Sequence, residues 1–238
     1  MSHPERIVPD ETEPGIVALH LKRYAFARRF CSGKAVLDAA CGVGYGTAFL
    51  AEAARRVVGV DRDADAIEYA RDRYARPNVD FVTQDLAALD FRDGEFDVVC
   101  SFETIEHLDE PERFLAHAAR LLRADGVLVV STPRVDETTT APANPFHRVE
   151  LSSADFERLL GRHFADVELY GQHRLETRRH RLLRRADLFG MRRRLLFARR
   201  AAGLLSGTAP MAEVSAEGIA ISKDGLERAS ELVAVCRP

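Results

Sequence analysis

The chain has 238 residues, of which 46% are hydrophobic and 30% charged, with a formal net charge of -3. That length suits one generous globular domain, 1–238, with a sizeable core. No apolar run reaches membrane-spanning length and Met1–Pro14 lacks the apolar core of a signal peptide, so the reading is a soluble, cytoplasmic protein. The four cysteines, Cys31, Cys41, Cys100 and Cys236, form no C-x-x-C pair, which argues against a zinc knuckle or disulfide frame.

Ser2 to Pro14, rich in proline and acid, reads as an extended arm. Gly15 to Phe30 follows with Ile16, Leu19, Tyr24, Phe26, Ala27 and Phe30 near a 3.6-residue period, so residues 1–30 are an arm and an amphipathic helix. Val36 to Ala40 is then an apolar strand that ends in Gly42, Gly44 and Gly46 and runs into a helix over Ala48 to Arg55. Strand, clustered glycines and helix N-terminus make a nucleotide-cradling device, because glycine lets backbone N–H groups approach and the helix end adds a positive dipole. The glycines stand at every second position behind Asp38, which is neither the G-x-G-x-x-G of dinucleotide folds nor a phosphate loop ending in G-K-[ST].

Val57 to Val60 is a second strand closed by Asp61, placed to accept both hydroxyls of a ribose. Ala64 to Tyr74 is a helix, Val79 to Val82 a strand followed by Asp85 and Leu86, and Phe96 to Ser101 the fourth strand. Pro111 to Arg123 is a helix with Phe114, Leu115, Ala118, Leu121 and Leu122 on one side, and Val127 to Ser131 an apolar fifth strand of the buried parallel kind. Ser152 and Asp155 have the S-x-x-D form of a capping box before another helix. Val167 to Tyr170 and Leu232 to Cys236 complete the strands. The alternation predicts an α/β, doubly wound sheet with its ligand at the carboxyl ends of the strands. Residues 173–213, crowded with arginine between apolar pairs, read as a helical insertion: a solvated lid, a site for an anionic substrate, or a polyanion patch.

The D-x-x-C-G-x-G-x-G run of Asp38 to Gly46 resembles motif I of the class I methyltransferases that use S-adenosylmethionine. The resemblance implies a Rossmann-like seven-stranded sheet with an antiparallel terminal hairpin, and a leading helix over the cofactor that brings His20 and Tyr24 to the site. Carried over residue by residue, it implies a cofactor site of Asp38, Ala40, Gly42, Gly44, Asp61, Arg62, Asp85, Leu86, Phe102 and Tyr24, with the acid at 85 near the adenine amino group.

Ser101 to His107 follows the fourth strand, where an acceptor meets the donor's methyl group. Methyl transfer from a sulfonium is an in-line displacement, so a hydroxyl acceptor must be aligned and relieved of its proton. A short helical turn would put Glu103, Glu106 and His107 on one face, and Asn144-Pro145-Phe146-His147 opens onto the same crevice. E-x-x-E-H with a later histidine is similar to the metal site of small-RNA 3′-terminal 2′-O-methyltransferases and to ubiquinone-pathway O-methyltransferases. Three readings stay open: Mg²⁺ or Mn²⁺ on Glu103, Glu106, His107 and His147; metal-free catalysis by His107 or His147 with Glu103 or its neighbour orienting it; or a purely structural turn.

Together with Ser131-Thr132-Pro133 and Gly171-Gln172, these runs resemble bacterial methyltransferases found beside glycosyltransferases in surface-polysaccharide and nucleotide-sugar pathways. Val43, where an acid is frequent, and Ala124-Asp125, in place of Pro-Gly, depart from the pattern. The expectation is an O-methyltransferase for a sugar hydroxyl, of a nucleotide sugar or a uronic acid held by Arg134, Arg148 and some of Arg174 to Arg185, with a homodimer left open. The rivals are an RNA 3′-terminal ribose 2′-O-methyltransferase, a quinol O-methyltransferase and a non-catalytic cofactor-binding protein.

Overall fold

The computed structural model describes residues 6–174 and 218–238. The N-terminal segment is not the extended arm expected. It turns back through Glu11 N–H and Thr12 N–H donating to Val8 O, and Val8 packs with Val43 and Ala66. Helix α1 spans Pro14–Ala27, with proline near its start where the missing N–H costs nothing.

Strand β1 (Ala35–Ala39) leads to α2 (Tyr45–Leu50). Gly44, left-handed at φ 85°, is the N-cap and starts that helix earlier than the sequence suggested. Strand β2 (Arg56–Asp61) and α3 (Ala64–Tyr74) follow; Asp63 caps α3 by accepting from Asp65 N–H and Ala66 N–H. Then come β3 (Val79–Thr83), β4 (Phe96–Ser101), α4 (Pro111–Leu121) and β5 (Leu122–Val135). After the two-residue β6 (Leu151–Ser152), α5 (Ser153–Leu160) is capped by Ser152, whose Oγ accepts from Asp155 N–H. The last strands are β7 (Asp166–Arg174), β8 (Ile219–Ser222) and β9 (Glu231–Arg237).

The main path of the sheet runs β3-β2-β1-β4-β5-β9-β7-β8, with β6 attached to β5. Strands β1 to β5 are mutually parallel, and β9 enters antiparallel between β5 and β7. The doubly wound class is as expected, whereas the described residues form nine strands rather than seven. The expected pairing of the terminal strands is present, and β8 adds an outer strand in register with Gly171–Arg174. The rest of the expected helical insertion, from residue 175 to 213, lies outside the described residues. No described helix is long and apolar enough to cross a membrane.

Alternation along the strands splits the core into two layers. Ala35, Leu37 and Ala39 of β1 face α4 and α5, packing with Phe114, Leu121, Phe156 and Leu160. Val36 faces the other way, with Leu50 of α2 and Tyr24, Phe26 and Ala27 of α1. By the same parity the side chain of Asp38 falls on the α1/α2 side.

Candidate active site

The strand order reverses between β1 and β4, and a cleft of about 440 Å³ opens there at the carboxyl ends of the strands. Two non-glycine residues on its wall have left-handed backbones, Ala40 just past β1 (φ 64°) and Glu103 just past β4 (φ 51°). Such conformations are costly and cluster at functional sites.

Eight of the ten residues expected at the cofactor site line this cleft: Tyr24, Ala40, Gly42, Asp61, Arg62, Asp85, Leu86 and Phe102. Asp38 and Gly44 lie beneath its wall instead. Asp38 is 1% exposed, accepts from Thr47 Oγ1 at 2.6 Å and from the Tyr24 hydroxyl at 3.3 Å, and so braces the floor. Burial pushes its carboxyl up to about 7, against the lowering effect of those two hydrogen bonds. A Cβ on Gly44 would fall 2.7 Å from Ala70 Cβ, so that glycine serves the packing of the turn on α3. Gly42 differs: its φ is 57° and nothing lies within 4 Å of where its Cβ would be, on the cleft side.

Asp61 is a buttressed acceptor, taking Gly42 N–H on Oδ2 at 2.9 Å and Asp63 N–H on Oδ1 at 3.0 Å. Arg6, which carries no motif in the sequence, donates to Asp63 at 2.6 Å and lies 3.9 Å from Asp61. No local signal marks Arg6; only the folding back of its segment brings it to the cleft. Asp85 caps the turn at Leu86–Ala88 through Ala87 N–H, while also lining the cleft beside Leu86.

At the tip of β4 the four residues expected to act as one group divide. Ile105–His107 is a single 3₁₀ turn, and the left-handed backbone of Glu103 sets that residue apart from it. Glu103 turns to Ser131: its N–H donates to Ser131 Oγ, and that hydroxyl donates back to Glu103 Oε1 at 2.7 Å. Glu106, His107 and His147 come together without it, with ligand atoms all within 4.8 Å of one another. The expected one-face arrangement therefore holds for Glu106 and His107, and fails for Glu103.

Glu106 is 1% exposed; Thr132 Oγ1 donates to its Oε2 at 3.2 Å, and Oε1 has no hydrogen-bond partner among the described residues. Burial, then the nearby Glu103, pushes its carboxyl well above the usual range. The backbone N–H of Arg148 donates to Glu106 O at 2.7 Å and pins the loop carrying His147 against this turn. His107 Nδ1 lies 3.0 Å from the carbonyl of Phe146, so a neutral ring carries its proton there and its lone pair on Nε2, 4.0 Å from Glu106 Oε1. The two imidazoles meet edge to face, centroids 4.8 Å apart.

His147 is held from both sides, by Glu150, which the sequence did not mark, and by Asn144, marked there only as part of a motif. Its Nδ1 is 2.7 Å from Glu150 Oε1, and its Nε2 is 2.9 Å from Asn144 Nδ2. The only prior signal for Glu150 is its spacing, three residues after His147. Lining the same cleft are His20, whose imidazole burial and then Arg23 hold well below its ordinary pKa, and the apolar Leu108 and Pro133.

Arg134 and Arg148, suggested as holders of an anionic acceptor, are paired elsewhere: Arg134 with Asp136 at 2.5 Å, and Arg148 with Asp109 at 3.1 Å. Neither is among the residues lining the cleft.

Residues 37–130 match the family described as methyltransferase domain. A Mycobacterium tuberculosis protein named "Probable S-adenosylmethionine-dependent methyltransferase" is 38% identical over 172 residues, covering 70% of this chain and 62% of that protein. Residues 37–130 thus carry a methyltransferase domain, similar to that of an S-adenosylmethionine-dependent relative. The chain spans about three fifths of the length of that relative. A Coxiella burnetii ubiquinone biosynthesis O-methyltransferase is 32% identical over 102 residues, 42% of this chain and 44% of that enzyme. In fold, the methyltransferase domain is similar to an S-adenosylmethionine-dependent methyltransferase from Mesorhizobium loti, with TM-score 0.58 and 15% identity, covering 92% of this chain and 100% of that one. The cyclase SpnF has the same fold, with TM-score 0.60 and 18% identity over 98% of this chain and 85% of that one. A shared fold therefore does not choose the reaction; the residues at the tip of β4 must.

Proposed function

We propose that the chain transfers the methyl group of S-adenosylmethionine to a sugar hydroxyl. The observation that carries this reading is the pair of imidazoles beside the end of β4, each with Nδ1 against an acceptor, His107 Nε2 4.0 Å from the buried Glu106 and His147 Nε2 against the Asn144 amide, on the wall of the cleft. These cleft residues would hold the cofactor: Asp61 would accept from the ribose hydroxyls, Asp85 and Leu86 would meet the adenine, and Gly42 and Ala40 would line the methionine part. The acceptor hydroxyl gives its proton to His147 Nε2, taking the place of the Asn144 amide. Bound S-adenosylmethionine would supply the electrophilic methyl group, which that oxygen would take in line as the carbon–sulfur bond breaks to leave S-adenosylhomocysteine.

Among the described residues the arginines on the cleft wall, Arg6 and Arg62, are close to or beside Asp61. The acceptor end is lined by Glu103, Glu106 and histidines, which suits a neutral sugar better than a uronic acid or nucleotide sugar. The Coxiella relative favours a second acceptor, a quinol, for which Phe102, Leu108 and Pro133 offer apolar contact.

Glu106, His107 and His147 also fit a divalent cation, because one ligand atom from each lies within 4.8 Å of the others, Glu106 Oε1 is orphaned among the described residues, and both Nδ1 atoms have outer acceptors. Of the two ions considered, the two imidazoles suit Mn²⁺ better than Mg²⁺. Bound there, the ion would acidify the reacting hydroxyl.

The test is methyl transfer from labelled S-adenosylmethionine to neutral glycosides, uronic acids, nucleotide sugars, quinol precursors and RNA, each with and without chelator. Transfer to neutral glycosides is expected. Labelling of quinols alone, of RNA alone, or of nothing despite normal cofactor binding would sink the sugar reading.

A further inference from the structure

The geometry points to Glu150 as a positioning residue, which with Asn144 locks His147 in one tautomer and aims its Nε2 lone pair into the cleft. This rests on the reading that His147 Nε2 is a working atom, and it serves base catalysis and metal ligation alike.

The network itself assigns the proton. Asn144 Oδ1 accepts from Phe146 N–H at 3.1 Å, which fixes the orientation of the amide and turns its Nδ2 toward the imidazole. An amide nitrogen can only donate, so His147 Nε2 must accept. The proton of the neutral ring is therefore on Nδ1, where the Glu150 carboxylate receives it at 2.7 Å. Glu150 is itself held: its N–H donates to Thr139 O at 3.0 Å and its carbonyl accepts from Thr139 N–H at 2.9 Å. With side chains 10% and 17% exposed, His147 and Glu150 meet largely out of water, where a charge-assisted hydrogen bond outweighs its solvated counterpart. A solvated histidine side chain favours the Nε2–H tautomer slightly, so the two partners must reverse an intrinsic preference.

Asn144 fills the seat that an acceptor hydroxyl needs. Being a donor, it holds the nitrogen in the protonation state that another donor, the O–H of an alcohol, can take over without rearranging the ring. Removal of an outer partner of a catalytic or ligating histidine typically costs about 10- to 100-fold in activity or affinity.

The experiment uses the full chain, labelled with ¹⁵N, and long-range ¹H–¹⁵N spectra of the imidazoles, with His147 assigned by the signals lost in His147→Gln. The wild-type ring is expected as the Nδ1–H tautomer. Glu150→Leu removes the acceptor and should shift the ring toward the Nε2–H form. Glu150→Gln keeps an acceptor oxygen in the same shape and should preserve the wild-type tautomer, and it also serves if the leucine variant does not fold. An unchanged His147 spectrum in folded Glu150→Leu, or a wild-type ring already protonated on Nε2, would overturn the assignment. These spectra need no acceptor, so they decide the role of Glu150 even if the sugar reading fails. Conversely, a locked tautomer with full turnover in His147→Gln would refute the part played by His147 and leave Glu150 merely structural.

Discussion

The ring of Tyr24 occupies the space that a side chain on Gly46 would need: a Cβ there would fall 1.9 Å from Tyr24 Cζ. The third glycine of the motif is thus demanded by α1, whose tyrosine also packs edge to face on Phe102 at 4.9 Å and reaches Asp38. Gly46→Ala should displace Tyr24 and cost about 1–3 kcal/mol of stability, the usual penalty of overpacking. Because Tyr24 lines the cleft, cofactor affinity should fall with it. Urea unfolding and calorimetric titration with S-adenosylmethionine check both.

Asp38 gives the folded chain a pH dependence. Burial raises its carboxyl to about 7, so the folded state holds a proton there that the unfolded state has released. Stability from this group is complete at acid pH, below the unfolded pKa, and is lost as pH rises toward the folded value. With a slope of about 1.4 kcal/mol for each pH unit between those two values, the loss from about pH 5 to about pH 8 is on the order of 3 kcal/mol. Asp38→Asn should lose less over that interval than the wild type, as read from unfolding midpoints at both ends. Equal losses in the two proteins would show that Asp38 is not the source.

Asp61→Ala should weaken S-adenosylmethionine binding about 10- to 100-fold, the worth of hydrogen bonds to a charged acceptor. The same change removes the anchor of Gly42 N–H, so Asp61→Asn, which keeps one acceptor oxygen, should lose less. Titration calorimetry on the three proteins separates these cases.

His147→Ala and His107→Ala should each slow turnover, by about 100-fold or more for the histidine that takes the proton, with the cofactor dissociation constant nearly unchanged. Full activity in either would remove that residue from the proposed chemistry. A parallel loss of cofactor binding would mark it as structural.

Much of this architecture is legible in the sequence. Strand β4 and helix α3 have the bounds that the residue pattern predicts, since Phe96–Ser101 is buried at every position but Asp97 and Ala64–Tyr74 follows a capping aspartate. The position of the cleft is legible too, because a doubly wound order must open at the carboxyl ends of its strands, and eight of the ten residues named from the motif line it, Tyr24 from α1 among them. The catalytic end is less so. The expectation that Glu103 joins Glu106 and His107 assumes a regular helical turn, and the backbone at Glu103 is left-handed instead.

What the sequence determined by itself is the strand and helix order and the glycine turn, because these follow from periodicity and backbone freedom over a few neighbouring residues; the family was legible only through the resemblance of the Asp38 to Gly46 run. The tertiary structure alone decided that Asp38 is a buried brace, that Arg6 returns to Asp61, and that Glu103 leaves the histidines for Ser131. It also decided that Asn144 and Glu150 close on His147 from opposite sides. Each of these depends on where a side chain points once separately formed segments have packed, and a local pattern of hydrophobic and polar residues does not carry that direction.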